Sequence, residues 1–223
     1  MYRIYVPSND AEDWKSLLAG PEKQWKDGFS AKQVAESWHA ANGFPPLIAD
    51  VLANAADPIS SLQPLLIIPE HQVALPGGAA NSQNDVWILA SHHFGLASIT
   101  VEGKVAESFG ENMAQWLTPD ASDGKQNRLK FLVELLGLGA NPPDQIRYQL
   151  LHRLGSAVIE AKRFHANVAL CVVQSFSPTN EGLTDFQAFC ALFAQHPQPG
   201  EVVKLRHRDG VTFYAAWVHC YRG

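Results

Sequence analysis

Cysteine is scarce in this chain: there are three, Cys171, Cys190 and Cys220, widely spaced and odd in number. No CxxC pair offers a zinc site and no spacing suggests a disulfide framework. They read as reduced thiols, Cys171 in a buried strand, Cys190 on a helix face and Cys220 at a strand end, since free cysteine usually packs as a small hydrophobe. Long apolar runs are missing as well. No stretch approaches the roughly 18 apolar residues that span a bilayer, and MYRIYVPSND has no basic region followed by an apolar one. The expectation is a cytoplasmic protein with no membrane partner. Positive charge is also in short supply, with 17 Lys and Arg against 22 Asp and Glu and a formal net charge of −5. Phosphate backbones are bound by clustered Lys and Arg, so any contact with nucleic acid has to be local. No Gly-rich phosphate loop of P-loop or Rossmann type is present. Ser156 follows Gly155, but the second glycine of a nucleophile elbow is lacking, which excludes a serine-hydrolase reading.

What is present is a globular composition, 46% hydrophobic and 17% charged over 223 residues. That length buries a substantial core, and no linker-like composition shift divides it, so 1–223 reads as one domain. Residues 2–6 alternate weakly as an edge strand. Ser8-Asn9-Asp10 precedes a short helix closed by Gly20. Ser30 caps a helix over 31–42 that Gly43 stops, and Pro45-Pro46 opens another through Asn54. The period then changes. Residues 65–75 read as a strand, placed at an edge by Pro69. Residues 85–90 and 96–102 read as two more strands joined by a hairpin-like SHHFG link. Residues 108–137 are helical, with Pro119 between two pieces, and a long helix runs over about 144–164. The apolar run 168–173 suits a central strand covered on both faces. A helix over 183–194 follows, and Asp209-Gly210 closes a C-terminal β-hairpin. The class is α/β, a mixed sheet flanked by helices.

The residues that carry chemistry lie between Asp85 and Lys104. Asp85 begins one strand, and Glu102 and Lys104 end its neighbour. Residues two apart in a strand share a face, so Glu102 and Lys104 project together, and hairpin pairing brings Asp85 beside them. Mg²⁺ takes oxygen ligands from one or two carboxylates together with substrate phosphate. It then activates water and neutralises charge on phosphorus, while a lysine orients or deprotonates that water.

An Asp on one strand followed by Glu-x-Lys on the next resembles the signature of the PD-(D/E)XK nuclease superfamily, here Asn84-Asp85 and Glu102-Gly103-Lys104. The order of elements resembles its restriction-endonuclease-like α-β-β-β-α-β core. The chain looks like an uncharacterised bacterial family of such proteins in VEGKVAESFG (101–110), RYQLLHRLGSAVIEAKRF (147–164) and VQSFSP (173–178). The resemblance implies Asp85 and Glu102 as metal ligands for Mg²⁺ or Mn²⁺ and Lys104 as the catalytic lysine. It adds Glu36, on the first core helix, as a further ligand. Gln149 takes the polar place on the second core helix, with Arg153 one turn later. Asn84 stands where the motif has proline, and a helical insertion over 108–140 separates the site strand from the second core helix. The function implied is a metal-dependent nuclease, an endonuclease or exonuclease, acting on DNA or RNA.

Plainer readings stand beside these. Glu102 and Lys104 can form an exposed ion pair, Asp85 a turn, Glu36 a solvated helix position, and Glu107 a cap for a helix at 108. Gln149 and Arg153 can solvate a helix face, and Arg147 and His152 read as surface residues. Adjacent His92 and His93 point to opposite faces and make a poor metal pair. His207 and His219 can meet across the hairpin. Trp38, Trp87, Trp116 and Trp217 read as core aromatics, with base stacking as their alternative. A catalytically inactive nuclease-like binding or assembly module, dimerising through the aromatic C-terminal hairpin, is the alternative to catalysis.

Overall fold

The structure is a computed structural model, and it describes residues 3–6 and 8–221. Seven α-helices and six strands are assigned among them: α1 Pro21–Gln24, α2 Ser30–Ala41, α3 Pro46–Ala53, β1 Gln63–Val73, β2 Ser82–His92, β3 Gly95–Lys104, α4 Met113–Trp116, α5 Asp123–Leu136, α6 Tyr148–Arg163, β4 Val168–Ser175, α7 Leu183–Ala191, β5 Val202–Arg208 and β6 Val211–His219. The strands form one mixed sheet in the order β1-β2-β3-β4-β6-β5. β2 runs antiparallel to both its neighbours, β1 and β3, while β3, β4 and β6 are parallel and β5 pairs antiparallel with β6. The α/β class and the helix-flanked mixed sheet expected from the sequence are therefore present.

Each layer follows from the residue pattern. β4 is apolar at nearly every position because it is central and buried along its whole length. On one side of the sheet, Val34 and Trp38 of α2 and Ile48 and Leu52 of α3 pack on Ile88, Ile99 and Val172. On the other, Leu150, Leu154 and Val158 of α6 join Leu132 and Leu136 of α5, Cys171, Val173 and Trp217. The two layers leave the C-terminal ends of β3 and β4 between α2 and α6, and the candidate site lies there.

Some boundaries differ from expectation. The first helix is a 3-10 turn over Ala11–Leu17, capped by the Asp10 carboxylate. The strand expected at 2–6 reduces to a bridge between Ile4 and Ile67 on the outer edge of β1, and Tyr2 lies outside the described residues. α6 starts at Tyr148 rather than 144, because residues 144–148 hydrogen bond to the backbone of 111–114 instead. No helix begins at 108. Glu107 accepts from the backbone N–H of Ser30 and of Val105, both at 2.7 Å. His207 pairs with Thr212, whereas His219 pairs with Ser175 at the far end of β6, so these histidines do not meet. Within the C-terminal hairpin, Phe213 and Trp217 are fully buried in this protein's own core.

The thiols behave as packed groups. Burial pushes the Cys171 thiol up to about 12, which leaves it inert. Among the described residues, no helix is long and apolar enough to cross a membrane.

Candidate active site

Sheet register assembles the site. Pro69 pairs with Val86 and His71 with Asn84, so Glu70 of β1 stands across from Asp85 of β2. Val86 pairs with Val101, so Asp85 in turn stands across from Glu102 of β3. Three carboxylates thus form a row over three adjacent strands. Directly opposed like charges on one face are destabilising unless something neutralises them.

The protein neutralises one end of this row. Glu102 and Lys104 are both buried, and Lys104 Nζ donates to Glu102 Oε1 at 2.7 Å. Gln149 Nε2 donates to the same oxygen at 2.7 Å, and its own Oε1 accepts from Lys104 at 3.2 Å. Arg153 Nε donates to Glu102 Oε2. Burial pushes the Glu102 carboxyl up, but Arg153 and then Lys104 more than offset this and leave it below the usual carboxylate range. Arg153 is held in turn, donating to Ser82 Oγ at 3.2 Å and to His152 Nδ1 at 3.1 Å. His152 is thereby kept neutral, since burial and then the Arg153 charge depress its pKa well below the ordinary imidazole value.

The other end is held by neutral donors. Glu70 accepts from Gln83 Nε2 at 2.7 Å, and Asp85 accepts from the Gly103 N–H at 2.7 Å. Among the described residues neither makes an ion pair. Burial, reinforced by the Asp85 charge, pushes Glu70 up to about 8. Burial, reinforced by Glu102, pushes Asp85 up to about 7. Glu70 also has φ +52°, a left-handed conformation uncommon outside glycine, and such strain concentrates at functional positions.

Gly103, between Glu102 and Lys104, has a local role. A Cβ there would come within 2.3 Å of Val34 Cγ2 and 3.3 Å of Asp85 Oδ2. Glycine lets α2 lie directly over the strand end and leaves room for the Asp85 carboxylate. The result is a cavity of about 320 Å³ lined by Glu70, Asp85, Glu102, Lys104, Gln149 and Arg153 on the sheet and α6, and roofed by Leu18, Gln24 and Phe29.

Asp85, Glu102, Lys104 and Gln149, singled out from the sequence, are therefore brought together. Glu36 is not. It is exposed, because α2 buries Val34, Ala35 and Trp38 and turns Glu36 away, where it lines a different cavity. The acid that stands in the site instead is Glu70, whose one sequence signal is an acidic residue inside the apolar run LLIIPEHQV. His152, read as a surface residue, is largely covered and touches Arg153.

The donor set fits a small hard cation: three carboxylates, two of them without an ion pair among the described residues and with their pKa raised first by burial and then by a neighbouring carboxylate. Among the described residues, no three His, Cys, Asp or Glu side chains already stand in ion-holding positions. The two oxygens of Glu102 are committed to Lys104, Gln149 and Arg153.

A family model matches residues 7–221. The chain belongs to the family described as Domain of unknown function (DUF6946). Every residue of the DUF6946 chain's site falls within the matched range. No curated protein and no solved structure matches the chain.

Proposed function

We propose that this DUF6946 chain is a Mg²⁺- or Mn²⁺-dependent nuclease of PD-(D/E)XK type that hydrolyses phosphodiester bonds in DNA. The observation that carries this reading is the row Glu70, Asp85 and Glu102 ending against Lys104 in one cavity. The finer fold reading, a restriction-endonuclease-like core of α2, β1, β2, β3, α6 and β4, is supported by that element order and by a parallel β4 beside β3.

Glu70, Asp85 and Glu102 would hold the cation. When bound, it would lower the pKa of a coordinated water and neutralise charge developing on phosphorus. Lys104 Nζ, hydrogen bonded to Glu102 and aimed by Gln149, would orient the attacking water and donate to the phosphoryl oxygen as its charge grows. Gln149 is a positioning residue, since it fixes both Lys104 and Glu102. Leu18 and Phe29 roof the cavity and limit bulk water around the reacting phosphate.

The test is cleavage of end-labelled DNA in Mn²⁺. Wild type should cut, and Lys104→Ala and Asp85→Asn should each lose at least about 100-fold in rate. A wild type that binds Mn²⁺ yet cleaves neither DNA nor RNA would sink the reading.

One observation favours a second reading, a catalytically inactive binding or assembly module on the same fold. Both Glu102 oxygens are taken up by buried partners, as in an ion network kept for structure. Absence of Mn²⁺ binding would decide for it.

A further inference from the structure

A second cavity adjoins the acidic one. Its volume is about 880 Å³, and its lining includes Lys26, Lys32, Gln33, Phe176 and Tyr221. The acidic cavity takes Phe29–Ala31 and Lys104 into its wall, and the larger one takes Lys26–Gly28, Lys32 and the next strand-end residue, Val105. The start of α2 is thus a ridge with one cavity on each flank. Phe29 is 40% exposed on that ridge and Tyr221 is 48% exposed on the far side. Exposed aromatic rings of this kind accept the face of any base.

The charges favour a strand over a duplex. Duplex binding draws on many phosphate contacts from clustered Lys and Arg, and this chain has a net charge of −5. The two cations in the acidic cavity, Lys104 and Arg153, are both engaged by Glu102. Lys32 is paired with Asp27 at 2.6 Å. Among the described residues lining the two cavities, Lys26 is the cation with no ion pair. A single strand asks for less: stacking platforms and a few phosphate contacts along one path.

Resting on the nuclease reading, we propose that the substrate is a single-stranded nucleic acid laid across the start of α2. One phosphate would enter the acidic cavity, one base would stack on Phe29, and the following nucleotides would occupy the larger cavity against Tyr221, with Lys26 on the backbone. Each aromatic contact is of the size that one stacked base supplies.

The experiment is fluorescence anisotropy with a labelled 12-nucleotide oligothymidine and a blunt duplex of the same length, in Ca²⁺ so that binding is read without turnover. Wild type should bind the single strand at least about 10-fold tighter than the duplex. Phe29→Ala and Tyr221→Ala, each checked for a normal thermal melt, should each weaken it about 10-fold. Equal or tighter duplex binding, unchanged affinity in both variants, or no binding of either oligonucleotide would overturn the proposal. Mn²⁺ calorimetry on wild type separates the two levels. Metal binding without oligonucleotide binding removes the single-strand proposal alone, and absence of both removes the nuclease reading with it.

Discussion

Glu70 and Asp85 face each other across β1 and β2, and among the described residues neither carboxylate makes an ion pair. Two acids so placed share a demand for positive charge. Isothermal calorimetry with Mn²⁺ should therefore show binding in wild type and none in the Glu70→Gln/Asp85→Asn double variant. Glu36→Gln should bind as wild type does, because Glu36 lies on the outward side of α2. Loss of binding in Glu36→Gln would return that residue to the site.

The same pair sets a pH dependence. Glu70 is raised to about 8 and Asp85 to about 7, above the ordinary carboxylate value of about 4. Between that ordinary value and the raised ones the folded state holds protons that the unfolded chain has released, so its stability falls as pH rises from about 5 and levels off above about 8. The metal-free protein should show a melting temperature that falls between pH 6 and 8 and levels off above that. Saturating Mn²⁺ should raise the alkaline end most, and Glu70→Gln should flatten the metal-free profile. A profile that rises over this range would contradict the arrangement.

His152 produces the opposite slope at lower pH. Its folded pKa is depressed, first by burial and then by Arg153, so the unfolded chain takes up the proton more readily. The associated stability is present above about 6.5, the ordinary histidine value, and is lost as pH falls below it. His152→Gln should remove that part of the acid sensitivity in a denaturant titration at pH 5 compared with pH 7.

Arg153 holds the buried charge of Glu102. Arg153→Met should destabilise the protein by about 3–5 kcal/mol, as removal of one partner from a buried pair does, measured by urea unfolding. Arg153→Met/Glu102→Leu should recover part of that loss, since no uncompensated charge remains. A single variant as stable as wild type would mean that Glu102 is solvated.

Gly103→Ala tests the close approach of α2. The added methyl would stand 2.3 Å from Val34 Cγ2, and the expected cost is about 1–3 kcal/mol. Val34→Ala in the same chain should restore much of it. Without such rescue, the tight contact is not what holds this position as glycine.

The legible parts of this fold and site are those set by local period. Glu102 and Lys104 share a face because they are two apart on a strand, and Asp85 joins them through a hairpin with a short link. The same logic was open for α2, where Val34, Ala35 and Trp38 mark the buried stripe and place Glu36 away from it, yet a family pattern pointed to Glu36. Glu70 was beyond reach for a different reason. Its position opposite Asp85 is fixed by the register of β1 on β2, which includes a shift near Pro64, and composition does not encode register. Glu107 likewise looked like a helix cap, whereas its carboxylate ties Val105 to the first residue of α2.

The outer strands of the sheet bear on how this protein behaves when concentrated. β1 carries Pro64 and Pro69, which have no N–H to offer, and the N-terminal bridge takes both the N–H and the carbonyl of Ile67. β5, at the opposite border, carries Lys204, Arg206 and Arg208. An incoming strand from another molecule would meet missing donors on one side and repelling cations on the other. Neither border offers a template for cross-β stacking, so the folded chain should remain free of amyloid-like self-assembly at high concentration.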